Sequence, residues 1–327
     1  MKYGNNYMHF YIEQYYILMF SLPVIQNAEK ILDKAFGRAN NIKAKDKKKL
    51  TLRKIKSVRN TIHKIMEKYV KSFPSFDRLH RFYYEIIDLL IGIDELKKSL
   101  GALKWADRKI DRIVRESIKI ASKNENYREI LKMTYGRISS VVYQIDKYLN
   151  FLEEARIKMK NLPDINTEMP TIIIAGYPNV GKSSLIKLLS SAKPKIASYP
   201  FTTKGLILGH MRVKRKNEEF KIQIIEVPGL LDRPDKERNE IERQGIIAIR
   251  HLPDIIIFIV DATMHCGYTL ENQLKLIEEV KKNFDVEMIV VENKVDISGG
   301  KTNFLKISCK EGFGIDELKK EIIKKLF

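Results

Sequence analysis

Apolar residues recur at intervals of three and four through the first half of the chain and gather into short continuous runs in the second half. The first pattern belongs to helices with one buried face, the second to strands covered on both sides. Helices are expected over 26–36, 46–72, 76–99, 102–122 and 125–160, punctuated at Gly37, Pro74, Gly101 and Asn124. Together they make a helical bundle. Ile86, Ile87, Leu89, Leu90, Ile93, Tyr143, Ile145, Tyr148, Leu149 and Leu152 are assigned to its core, and Trp105 also to packing. The helical pattern stops in NLPDINTEMP (161–170), a polar link bounded by prolines, which divides the chain into 19–165 and 166–327.

Beyond the link, TIIIAG (171–176), KIQIIEV (221–227), DIIIFIV (254–260), EMIVVEN (287–293) and FLKIS (304–308) alternate with helical stretches. Such runs build a mostly parallel sheet with right-handed crossovers and helices on both faces. LILGHMRV and FKIQIIEV, separated by KRKNEE, read instead as one antiparallel hairpin. Ligands of open α/β sheets bind beyond the carboxyl ends of the strands, so the loops there are where chemistry is sought.

Length and charge add a second theme. The 327 residues suit two domains, and the net charge of +19 is unevenly placed. Residues 1–165 carry 34 Lys and Arg against 19 Asp and Glu, whereas 166–327 carry 26 against 22. A surplus confined to one half is the footprint of a polyanion, and RNA is favoured over a membrane. No RNA-recognition signature accompanies it, so contact is expected mainly with phosphates and to weaken with salt. Cys266 and Cys309 offer neither a disulfide framework nor a zinc-ligand spacing, which suits a reducing cytoplasm. The aromatic opening is interrupted by Glu13 and Gln14 and reads as neither signal nor anchor. Residues 1–18 are an extension of open status, either untethered or upstream of a start at Met19.

The loop GYPNVGKSS (176–184) follows a strand and precedes a helix, which is the context that GxxxxGKS requires. Asn179, Val180, Gly181, Lys182, Ser183 and Ser184 are therefore expected around the phosphates of a nucleotide. Lys182 would reach the β- and γ-phosphates, and the Ser183 hydroxyl would ligate Mg²⁺. NKVD (293–296) closes another strand, and the carboxylate of Asp296 can accept from the two donors on the edge of guanine, a pair that adenine lacks. Buried polar partners of this kind reject the wrong base by roughly 10⁴. Asn293 and Lys294 belong to the same loop, and Ser308 and Cys309 in ISCKEGFG resemble a loop whose backbone donates to the guanine. EVPGLLDRP (226–234) then falls where a γ-phosphate would lie: Gly229 can bring its bare amide to that phosphate and lose it on hydrolysis, an order-to-disorder switch. Thr203 is the choice for the second protein ligand of Mg²⁺. His210 and His265 receive no catalytic role.

GYPNVGKSSL, YPFTTKGLILGHM, EVPGLLDRPDKERNEIERQ, DATMHCGYTLENQL and NKVD together resemble the Nog1 GTPases of the Obg-related group, and the basic bundle with GALKWADRKIDRI resembles that family's N-terminal domain. The resemblance implies a P-loop GTPase domain after a helical bundle, hydrolysis of GTP to GDP, and a part in assembling the large ribosomal subunit. Two features depart from the family. Glu226 stands where an aspartate is usual, so a water-mediated contact to Mg²⁺ must be re-spaced, and the long C-terminal extension of eukaryotic relatives is absent. Leu230 also stands where Ras-like switches keep a water-orienting glutamine, so catalysis rests on Lys182, Thr203, Gly229 and Mg²⁺, and the intrinsic rate is expected to be slow. In related K⁺-using GTPases an asparagine at the place of Asn179 ligates the ion; a plain loop hydrogen bond is the equal alternative.

These readings combine into a GTP-operated assembly factor, cytoplasmic and monomeric off the ribosome, whose bundle grips rRNA. Two alternatives stay open: an Obg-like regulator of translation or stress, and an RNA-binding scaffold with negligible turnover.

Overall fold

The computed structural model describes residues 22–327 apart from 201, 203, 204, 216, 217, 229, 230, 232, 233, 238, 240, 241, 243, 244, 247 and 248. The expectations for residues 1–18, Thr203, Gly229 and Leu230 lie outside the described residues. The chain forms two compact units. One holds the described residues up to Arg78 with Leu90–Lys160, and the other holds Leu79–Leu89 with Asn161–Phe327.

The first unit is built from α1 (Ala28–Asn40), α2 (Lys47–Ser72), α4 (Ile93–Lys123), α5 (Tyr127–Gln144) and α6 (Asp146–Lys160), with α3 (Arg81–Leu90) falling largely to the other unit. Asn27 and Asp46 start α1 and α2 by accepting from the amides of Lys30 and Lys49, which satisfies donors that a helix leaves open at its N-terminus. Asp146 accepts from the amide of Ala28 at 2.6 Å and so ties α1 to α6. Ile55, Ile62, Leu96, Leu103, Ile138, Leu149 and Leu152 are buried between the helices.

Several expected boundaries move. The helix expected over 76–99 is two helices, because Gly92 turns the chain at φ +89°, a conformation that side chains rarely allow. Gly37 and Gly101 stop nothing and lie inside α1 and α4, where tertiary packing outweighs the low helix propensity of glycine. The stretch 125–160 divides at Ile145, itself buried. Of the assigned core, Ile86, Ile87, Ile93, Ile145, Leu149 and Leu152 are buried, whereas Leu89 and Tyr143 are 37% and 56% exposed and Trp105 is 43% exposed.

The second unit carries a seven-stranded sheet in the order β2-β3-β4-β1-β5-β6-β7. Its strands are β1 (Thr171–Ala175), β2 (Lys195–Ala197), β3 (Leu206–Arg215), β4 (Glu218–Glu226), β5 (Ile255–Asp261), β6 (Glu287–Asn293) and β7 (Leu305–Lys306). β3 and β4 form the expected antiparallel hairpin, and β4, β1, β5, β6 and β7 run parallel. The short edge strand β2, which no apolar run announces, pairs antiparallel with β3. All residues of β1 and β5 are buried, as strands between two layers of helix require. The helices include α7 (Lys182–Leu189), α8 (Leu270–Asn283), the single turn α9 (Val295–Ser298) and α10 (Ile315–Leu326).

The compact units depart from the expected division at 165/166 at α3, most of which groups with the residues beyond Lys160. Its Tyr83 hydroxyl lies 3.0 Å from the carbonyl of Pro163, accepts from the amide of Ile165 at 2.9 Å, and is fully buried. Glu85 meets His251 Nε2 at 2.8 Å. A segment early in the sequence thus completes the sheet unit.

Candidate functional site

Four parallel strands, β1, β4, β5 and β6, end on the same side of the sheet, and each delivers one part of the site. Beyond β1 the chain passes through Gly176–Gly181 into α7, with Asn179 at φ +63° and Gly181 at φ +110°. Alternating left- and right-handed residues turn successive amides inward and form an anion-binding nest at the positive end of the helix. Gly181 also admits no side chain, since a Cβ would fall 2.2 Å from Asn293 Nδ2. Lys182 is buried, and its ammonium donates to the carbonyls of Gly176 and Tyr177 at 2.8 Å each, which closes the loop around it.

Glu226 ends β4 at 4% exposure, and its Oε2 accepts from the Ser183 hydroxyl at 3.0 Å. Asn179, Gly181, Lys182, Ser183, Ser184 and Glu226 face one cleft of about 480 Å³, while Val180 is buried behind them. A hydroxyl and a carboxylate side by side are hard oxygen ligands, the set that Mg²⁺ takes when phosphates complete its shell. Among the described residues no cluster of three or more His, Cys, Asp or Glu could hold a metal ion.

At the end of β6, Asn293 is buried and joins three loops: its Nδ2 donates to the carbonyl of Val180 at 2.8 Å, and its Oδ1 accepts from the amide of Cys309 at 2.9 Å. Asp296 Oδ1 accepts from the Ser308 hydroxyl at 2.7 Å, which orients the carboxylate. The amides of Ser308 and Cys309 were expected to face the base. Here they are engaged with the Phe313 carbonyl and Asn293, so in this structure both residues position their neighbours. Burial and the charge of Asp296 push the Cys309 thiol up to about 11, so it stays protonated.

Three buried groups carry the site without having been singled out in the sequence. Asp261, at the end of β5, pairs with Lys294 at 2.6 Å and accepts from the amides of Thr263 and Cys266. Burial would raise its carboxyl, but the Lys294 ammonium and Thr263 outweigh that and hold it below the usual range. Gln273 on α8 exchanges hydrogen bonds with the backbone of Asp261 and donates to the Tyr268 carbonyl. Tyr268 in turn stacks on Tyr177 of the phosphate loop at 4.0 Å between ring centroids. Glu292, one residue before Asn293, accepts from Ser298, Lys301 and Thr302, and these bonds overcome burial to lower its carboxyl. A carboxylate closing an otherwise apolar strand was the signal available for Asp261. Gln273 had none, being one polar residue among many on a helix.

The fold and these loops define a protein of the P-loop GTPase class, with a phosphate loop and a guanine-type specificity loop in one unit. The model of the NOG1 N-terminal helical domain matches residues 20–166, and that of nucleolar GTP-binding protein 1 matches 240–296. An uncharacterized protein of Methanocaldococcus jannaschii is 37% identical over 289 residues, 84% of this chain and 80% of its own. Nucleolar GTP-binding protein 1 of Drosophila melanogaster is 34% identical over 249 residues, 75% of this chain and 38% of its own length. A solved nucleolar GTP-binding protein 1 of Plasmodium falciparum is 33% identical, covering 50% of this chain and 90% of its own with a TM-score of 0.45. The chain belongs to the Nog1 family. It spans most of the archaeal relative and well under half of the Drosophila one.

Proposed function

We propose that the chain binds and slowly hydrolyses GTP while acting in assembly of the large ribosomal subunit, its basic helical unit on rRNA. The observation that carries the nucleotide half is Asn293, which locks the phosphate loop to the specificity loop so that both ends of one guanine nucleotide are read together. Lys182 would neutralise the β- and γ-phosphates. Ser183 and Glu226 would hold Mg²⁺, directly or through water, and the ion would supply further charge stabilisation when bound. Asp296 would select the base. Phosphoryl transfer needs little beyond such positioning and electrostatics, and a slow intrinsic rate follows from Leu230 in place of a water-orienting side chain. Asn179, exposed on the cleft wall, would support a K⁺ ion beside the phosphates.

The ribosomal half rests on the names of the relatives and on the charge surplus of the helical half. No described helix is long and apolar enough to cross a membrane. The test is multiple-turnover phosphate release in K⁺ and in Na⁺ at equal ionic strength, with and without purified large subunits. Acceleration by the particle, and by K⁺, is expected. Turnover absent in every condition would leave a binding scaffold instead.

A further inference from the structure

The cations of α2 include two contrasting groups. Where α2 meets α4, charge is matched: Arg59 Nη2 donates to Asp111 at 3.1 Å, and His63 lies 3.0 Å from Asp107. On another face, Arg53, Lys56 and Lys64 join Arg38 from the last turn of α1 around a cleft of about 560 Å³. All four are exposed, and none has an ion-pair or hydrogen-bond partner among the described residues. Among the described residues no carboxylate lines this cleft. Like charges at such helical spacing oppose folding, so the fold itself has no use for the arrangement.

Apart from Ile42, the remaining lining is polar and uncharged. Thr61, buried, and Ser57, half-buried, supply hydroxyls. Asn60 accepts from Arg59 Nη1 at 3.2 Å through its Oδ1, which leaves its amide hydrogens to donate. From Arg53 to Lys64 the helix rises about 16 Å, long enough to follow several successive phosphates and too long for one small anion. Among the described residues the cleft holds no aromatic side chain on which a base could stack.

We propose that the cleft between α1 and α2 is a seat for the phosphodiester backbone of RNA, read by charge and hydrogen bonding without regard to sequence. The proposal deepens the rRNA reading above and rests on it. Arginine forks take two phosphate oxygens at once, the lysines add point charge, and the hydroxyls and Asn60 fix the register.

The experiment uses the full chain and two triple variants of equal charge. One is Arg53→Gln, Lys56→Gln, Lys64→Gln in the cleft. The other is Lys104→Gln, Arg112→Gln, Lys119→Gln on exposed positions of α4. Each is titrated against a mixed-sequence 20-nucleotide RNA and against large-subunit rRNA over a salt series. The cleft variant is expected to lose about tenfold or more in affinity for both RNAs, with the slope against log salt falling by about two, while the α4 variant loses little. Equal losses in both variants would overturn the seat in favour of diffuse attraction. So would wild-type binding to phosphatidylserine vesicles with none to RNA. Loss confined to the cleft variant without preference for rRNA would uphold the seat and remove the ribosomal reading. Should the cleft variant fail to melt cooperatively, cross-linking of thiouridine-labelled RNA to the wild type decides: adducts are expected on 53–64, and adducts confined to other helices would overturn the proposal.

Discussion

Gly181 shows how narrowly the site is drawn at the scale of one residue. It sits at φ +110°, and the space a methyl group would fill belongs to Asn293 Nδ2, the atom that holds the carbonyl of Val180. Gly181→Ala therefore strains the loop and displaces the amide that joins it to the specificity loop. A loss of more than tenfold in GTP affinity is expected by calorimetry, with the thermal midpoint of the nucleotide-free protein shifted by only a few degrees. Normal affinity in that variant would mean that the loop does not need the bridge. The sequence motif made Gly181 visible, but not its reason, because the partner lies more than a hundred positions away in the chain.

At the scale of elements, the loops after β5 and β6 are built around Asp261 and Glu292, two buried carboxylates held ionised by their neighbours. Both have folded values below their ordinary ones of 3.8 and 4.5. The unfolded chain then binds more protons near those values, so stability rises with pH through that range. The contribution is fully present above the ordinary values and is lost as pH falls through the lowered ones. Asp261→Asn should flatten this dependence in urea unfolding between about pH 5 and 3, and at pH 7 should cost about 1–3 kcal/mol through the unpaired Lys294 and amides. An unchanged pH profile would contradict the role given to the pair. The strands themselves were legible in the sequence, since short, nearly continuous apolar runs such as those of β1 and β5 suit a strand covered on both faces. Helix boundaries were less so: Gly92 breaks the chain while Gly101 does not, and only packing separates them. The site loops were legible by motif, whereas Gln273 and Glu292 act in large part through backbone groups that no side-chain pattern records.

At the scale of the whole molecule, α3 is the element the linear order conceals. Phe82, Tyr83, Ile86 and Ile87 are buried, and Tyr83 and Glu85 bond to residues of the sheet unit. A fragment of residues 166–327 should consequently melt well below the intact chain or aggregate, although it contains every nucleotide motif; a fragment as stable as the full chain would contradict the division into units. The central claim is that one guanine nucleotide is held between the phosphate loop and Asp296. Calorimetric titration of the full chain with GTP, ATP and xanthosine triphosphate, in the wild type and in Asp296→Asn, tests it most directly. The wild type should bind GTP and reject the other two by orders of magnitude, and the variant should turn its preference to the xanthine nucleotide. Equal affinity of the wild type for GTP and ATP, or a variant that still prefers GTP, would contradict the account.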